Sequence, residues 1–240
     1  MSTAPPAPSG TVDLGRAFTA VTQDPDWIKK VLLGGVFGLL CAVLVGIPFV
    51  LGYWSRTLRG VVAGAARPLP DWDDLGGLFG EGLRLTGVYL AYVLGVFLVA
   101  GALGCLVASP FMLLGGAHRS AEFDAAPAIG AAGGLAMVAF YGLFMIAMLA
   151  MALYLPAALA RASLRGTVAD GFDWRAVVEF IRANLGNYLL SIVAYIAASV
   201  VAQFGFILCC VGLFPAAFWS YLVFAFALGD TIRLNPASLR

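Results

Sequence analysis

Six apolar runs, near residues 28–45, 48–64, 85–109, 130–160, 186–208 and 213–230, restrict this chain to folds whose solvent is lipid. Four of them easily reach the length of a spanning helix, which needs about 20 apolar residues. Hydrophobic residues make up 62% of the 240 and charged residues 11%, where a soluble domain averages about 45–50% and about 25%. No soluble core of this size absorbs so much apolar surface. A net charge of +1, with no clustered basic face, argues against a nucleic-acid partner.

Charge decides how the runs are paired. The first two read either as one kinked helix or as a hairpin. A single crossing would separate Lys29 and Lys30 from Arg56, Arg59 and Arg67. Turning back at Gly46, Ile47 and Pro48 keeps all five on one face, as the positive-inside rule favours. The same logic places outer turns near 46–48, 117–129 and 209–215, and it puts thirteen of the fourteen Lys and Arg residues inside. Arg119 alone, next to His118 and near Glu122 and Asp124, falls outside. The pattern requires an even number of crossings. The expected architecture is all-α: a polytopic membrane bundle of about six segments in three hairpins, both termini cytoplasmic, in a cell inner membrane.

Residues 1–10 are rich in Pro, Ala and Ser and are expected to be disordered, with no cleavable signal peptide. A single transmembrane domain is expected over 11–233, with hairpin units at about 11–64, 71–166 and 173–233, and a short C-terminal tail at 234–240. A weak repeat supports the division. Asp13-Leu14-Gly15-Arg16-Ala17-Phe18 matches Asp74-Leu75-Gly76-Gly77-Leu78-Phe79, with Glu179-Phe180 in the corresponding place before the third hairpin. Thr57-Leu58-Arg59-Gly60 parallels Ser163-Leu164-Arg165-Gly166, and each is followed by an Asp-Trp pair, Asp71-Trp72 and Asp173-Trp174. The unit is an amphipathic elbow, an outbound helix, a turn, and a return helix with an Arg end.

The elbows suit the headgroup layer. In 174–185 the apolar Val177, Val178, Ile181 and Leu185 recur at helical spacing, with Arg175, Glu179 and Arg182 opposite. Asp173 is placed to cap that helix, and Trp27, Trp72 and Trp174 are the expected interfacial anchors. Asp24-Pro25 reads as a cap followed by Pro in the first helical turn. Gly34, Gly35 and Gly38 lie along one helix and should let a neighbouring helix approach closely.

Chemistry is sparse. The sequence holds no catalytic constellation, no nucleotide fingerprint and no metal-ligand spacing, so no catalytic residue, cofactor or metal is expected. Cys41, Cys105, Cys209 and Cys210 lie in apolar surroundings and read as small buried hydrophobes. Asp71, Asp73, Asp74 and Glu81 read as a solvated, helix-capping acidic face. Arg56 and Arg59 come soon after Pro48, so Arg56 either snorkels to the inner face or meets something negative inside the bundle. With Arg165, these are the candidate contacts for an anion or a lipid headgroup.

Five stretches carry a resemblance. Asp24-Pro25-Asp26-Trp27-Ile28-Lys29-Lys30-Val31-Leu32-Leu33-Gly34-Gly35 resembles the opening of an uncharacterised prokaryotic membrane family, the domain of unknown function 4013. Leu51-Gly52-Tyr53, Arg67-Pro68-Leu69-Pro70-Asp71-Trp72-Asp73-Asp74, Asn184-Leu185-Gly186-Asn187-Tyr188-Leu189-Leu190 and Cys209-Cys210-Val211-Gly212 are similar to its later landmarks. The three-hairpin plan is more loosely similar to the membrane domain attached to some glycerophosphodiester phosphodiesterases. The resemblance implies an integral membrane protein of prokaryotic type. The functional expectation is a non-enzymatic membrane protein that organises membrane or partner proteins or handles lipid. Its partners would be the bilayer, an anionic lipid, and a membrane protein or a second copy. The alternative is a small transporter or channel for an anionic or lipid-like substrate.

Overall fold

The computed structural model describes residues 10–117, 126–207 and 212–236, and the regular structure among them is helical throughout. Nine α-helices follow in order among the described residues: α1 Leu14–Thr22, α2 Trp27–Leu40, α3 Gly46–Val62, α4 Leu75–Ala117, α5 Ala126–Arg165, α6 Val168–Phe172, α7 Trp174–Ala183, α8 Leu185–Gln203 and α9 Leu213–Leu234. The chain separates into two compact units, one made of residues 1–88 and 157–240 and the other of 89–156. The expected loop residues His118, Arg119, Glu122 and Asp124, and Cys209 and Cys210, lie outside the described residues.

The first unit is built around α9, which packs against α1, α2, α3 and α8. A helix apolar on every side must be covered by protein or by lipid, and here protein covers much of it. Phe218, Leu222, Val223, Ala227 and Leu228 are buried, together with Tyr53, Leu58, Val31, Ala194 and Ala198 from its neighbours. Small residues permit the close approaches. A Cβ on Gly34 would lie 2.0 Å from the Phe218 ring and one on Gly35 2.5 Å from Pro215, while one on Gly38 would make ordinary contact with Phe214 at 3.8 Å. The tightest crossing is between α3 and α4, where a Cβ on Gly82 would fall 1.6 Å from the Pro48 carbonyl oxygen.

The second unit has almost no interior. Among its described residues Leu155 alone is buried, while Phe97, Leu98, Leu106, Tyr141, Ile146 and Leu149 stand more than half exposed. Its two antiparallel arms interlock large against small: Phe140 faces Gly104 and Phe111 faces Gly133. Phe97 and Phe144 meet edge to face at 6.1 Å, and the Tyr92 and Tyr154 hydroxyls lie 3.1 Å apart. Such a surface is stable in lipid, where apolar side chains need no burial and helices satisfy their own backbone.

Four helices among the described residues are long and apolar enough to cross a membrane: Leu75–Leu113, Gly130–Arg165, Leu185–Ile207 and Leu213–Leu234. The expected first pair does not reach that standard. α2 has 14 residues, and the 17 of α3 include Arg56 and Arg59. The turn between them also falls earlier than Gly46, Ile47 and Pro48. The chain reverses through a 3-10 turn at Cys41–Val43 and at Leu44, which has φ 65°, and α3 is already running at Gly46. Pro48 opens a helix here instead of making a turn, because the first helical turn needs no amide donor from it. The expected start of α2 is corrected too. The helix begins at Trp27, and the Asp24 carboxylate accepts from the Asp26 amide and from Lys30.

Candidate functional site

The charged side chains of the first unit gather where helices begin and end. Lys30, 6% exposed, has its ammonium 2.9 Å from Asp24 Oδ2 and 3.0 Å from Asp71 Oδ1, and it also donates to the Leu69 carbonyl at 3.0 Å. A buried ammonium is tolerated only with this kind of saturation. The strap that supplies Asp71 is fixed at two further points. Tyr53 donates its hydroxyl to the Pro70 carbonyl at 2.8 Å, and the Trp72 indole donates to the Lys30 carbonyl at 3.1 Å.

Arg56 and Arg59 form the second cluster. Arg56 donates from Nη2 to Asp74 at 2.8 Å and from Nε to Glu81 at 3.0 Å, and Arg59 donates to the other Glu81 oxygen. Two cations therefore meet two carboxylates of the same chain. The hydrogen bond from Arg56, with a second from the Gly77 amide, holds the Asp74 carboxyl below the usual carboxylate range. Ser55 and Ser163 join α3 to α5 through hydroxyls 2.6 Å apart. Beside them Arg59, Glu81, Arg84 and Thr167 enclose a cavity of about 30 Å³, room for about one water molecule. Arg84 donates to the Gly166 carbonyl at 3.2 Å.

The same kind of link recurs where other helices meet. Arg161, which is buried, comes to 4.0 Å from Asp173 at the start of α7. Asp230 near the end of α9 lies 4.0 Å from Arg16 on α1 and 3.8 Å from Arg233. Asp13, Asp74 and Asp173 each accept a hydrogen bond from the amide three residues on, at 3.2, 2.9 and 3.2 Å.

Among the candidate contacts, Arg56 has its partners within the chain, Arg59 shares one of them with its side chain 41% exposed, and Arg165 is exposed at the end of α5. The expected anchors separate. Trp174 is 61% exposed with the Arg175 guanidinium 5.3 Å above its ring. Trp27 is half-buried against the core. Trp72 lies between the Phe37 and Tyr53 rings, at 4.7 and 4.5 Å, so its place is in the packing of the first unit. Asp74 and Glu81, read as a solvated acidic face, are the partners that sequence reasoning missed. Their seven-residue spacing puts both on one helix face, and the three-residue spacing of Arg56 and Arg59 does the same on α3. That match was the available signal.

Membrane-length apolar helices, and charges drawn into ion pairs near helix ends, define a helical integral membrane protein. The model of the family described as "Protein of unknown function (DUF4013)" matches residues 36–211, and the chain belongs to that family. No curated protein and no solved structure matches the chain. The likeness to the membrane domain of glycerophosphodiester phosphodiesterases is not shown.

Proposed function

We propose that the protein is a non-enzymatic, multi-pass protein of a cell inner membrane that holds lipid and thereby organises the membrane around it, with both termini cytoplasmic. The observation that carries this reading is the surface of the 89–156 unit, whose exposed side chains are almost all compatible with acyl chains alone. The ion-paired helix ends of the first unit supply the complementary feature, a polar layer with basic side chains at its edge. Arg59, Arg84 and Arg165 are the residues we assign to anionic headgroups. Arg56 is held within the chain by Asp74 and by Glu81, and Arg59 shares Glu81 but keeps its side chain 41% exposed. The elbow helices α1 and α7 would lie at the same headgroup level, α7 with Trp174 outward.

Lipid retained by the protein tests the reading. After purification in nanodiscs of mixed composition, anionic phospholipid should be enriched over zwitterionic lipid. The Arg59→Gln, Arg84→Gln, Arg165→Gln triple variant should reduce that enrichment about tenfold, a change of about 1.4 kcal/mol. Equal retention of both lipid classes by the unaltered protein would overturn the headgroup assignment.

A further inference from the structure

Within the first unit, α3, the start of α4 and the end of α5 meet at the small cavity beside Ser55 and Ser163. Its wall includes Ser55, Arg59, Glu81, Arg84, Ser163 and Thr167. The two serines are buried, at 3% and 5% exposed, while the arginine side chains reach solvent. The cavity therefore has a hydroxyl-lined inner end and a basic, open end. Charge there is unbalanced toward the cation. Glu81 also holds Arg56, whose other partner is Asp74. Arg84 donates to the Gly166 carbonyl, and among the described residues it forms no ion pair. Three guanidinium groups thus share two carboxylates.

Donors exceed acceptors in the same wall. A guanidinium carries about five N–H groups, and Arg59 and Arg84 each use one of theirs on the chain. The Ser55 and Ser163 hydroxyls share one hydrogen bond at 2.6 Å, and the second proton of the pair has only the Ser55 carbonyl, at 3.5 Å. The acceptors are already engaged. Glu81 accepts from Arg56 and Arg59, the Gly166 carbonyl from Arg84, and the Thr167 hydroxyl from the Asp170 amide. The Thr167 proton goes to the Asp170 carboxylate, which does not line the cavity. A water molecule would bring two protons to a wall whose carboxylate and carbonyl oxygens are taken. An oxygen that only accepts fits better. About 30 Å³ admits one such atom and not a whole polyatomic anion, so the rest of the group must stay at the mouth with the two guanidinium forks. A terminal phosphate meets this demand, with one oxygen inward and two left for Arg59 and Arg84. A carboxylate or a phosphodiester has two free oxygens, so seating one leaves a single oxygen for both arginines.

We infer that this cavity is a binding site for one terminal phosphate group, with one oxygen seated against the Ser55–Ser163 pair and the others held by Arg59 and Arg84. The inference rests on the headgroup assignment above and narrows it from anionic lipid in general to a phosphate monoester. A lipid whose headgroup ends in phosphate and free inorganic phosphate are the two sources of such a group, and both present the same oxygens to the site.

The test uses the full chain in two settings. In mild detergent, after lipid is stripped, inorganic phosphate is titrated in by calorimetry. In nanodiscs of zwitterionic lipid doped with phosphatidic acid, phosphatidylglycerol or a free fatty acid, retained lipid is counted by native mass spectrometry. A single terminal phosphate per chain should bind, and phosphatidic acid should be retained about tenfold better than phosphatidylglycerol or the fatty acid. Arg84→Gln should weaken binding about tenfold, and Ser163→Ala about fivefold through loss of one hydrogen bond. Arg84→Lys keeps the charge but not the fork, so a loss of about threefold is expected; it serves if the first variant is poorly produced. Arg67→Gln removes an exposed cation that lines no part of the cavity and should change nothing. Binding in detergent alone would name free phosphate as the source, supporting the site and counting against the lipid-holding reading. Retention of phosphatidic acid alone would name the lipid and support both. Equal retention of all three anionic amphiphiles would overturn the inference while leaving the broader headgroup assignment standing. Binding that survives Arg84→Gln, or that falls equally with Arg67→Gln, would overturn it too, as would the absence of saturable binding in both settings.

Discussion

Two arginines converge on Glu81, and its loss should be felt by both. Glu81→Gln keeps the shape and removes the charge that Arg56 and Arg59 share. The arginines are partly exposed, so solvent softens the effect, and a loss of about 1–2 kcal/mol is expected in thermal unfolding in mild detergent. Asp74 adds a pH dependence. Its carboxyl is held below the usual range by Arg56 and then by the Gly77 amide, so it stabilises the fold above the unfolded value of about 3.9 and loses that effect as pH falls through the folded value. Melting temperature should stay level from about pH 7 to about pH 5 and begin to fall below about pH 4. Asp74→Asn should remove that part of the acid slope. Glycines on one helix should behave in opposite ways. A Cβ added at Gly80 would meet nothing within 4 Å, so Gly80→Ala should raise stability by about 0.5–1 kcal/mol. Gly82 sits against Pro48, so Gly82→Ala should lower it by about 1–3 kcal/mol. Sequence spacing exposed the small residues of α2 well, but it could not separate Gly80 from Gly82. Only the partner helix distinguishes them.

Helices and their caps were the most legible elements, because periodicity and cap chemistry are local. Asp13 and Asp74 stand at matching positions of the repeat, Asp173 belongs to the Asp-Trp pair, and each accepts a hydrogen bond from the amide three residues on. Yet α1 and α7 are separate short helices, whereas the segment after Asp74 runs unbroken into α4. The repeated Arg ends also diverge: α5 stops at Arg165, while α3 continues past Gly60 to Val62. The misread elements were those decided by tertiary partners. Pro48 opens α3, and Asp24 turns to the buried Lys30 instead of capping α2. The reversal between α2 and α3 offers a clean check. Leu44 holds φ 65° there, which costs a residue with a Cβ about 1–2 kcal/mol. Leu44→Gly should therefore raise the melting temperature, by an amount equivalent to about 1 kcal/mol. A fall would mean that the exposed leucine side chain gains more from its surroundings than the backbone loses.

At the scale of the whole molecule, the charge argument is strong for orientation and silent on number. Placing thirteen of fourteen basic residues on one side requires only an even count of crossings, so removing a pair of crossings leaves every remaining charge where it was. Four and six segments satisfy the positive-inside rule equally. This is why charge gives an expectation for side while leaving the standing of α2 and α3 open. The same arithmetic makes the 89–156 unit separable. It holds one buried residue among those described, Leu155, at its very base, whereas the first unit has its own core around α9. Deleting 89–156 and joining Val88 to Ala157 through a short Gly/Ser linker removes a hairpin and keeps the crossing count even. The shortened chain should insert with its C-terminus still cytoplasmic, read by a compartment-sensitive reporter fused there, and should keep a cooperative melt in detergent. Inversion of the reporter would show that orientation is set by the hairpin and not by the basic residues that remain. Loss of the melt would show that the first unit draws its stability from the hairpin, which its own buried core gives no reason to expect.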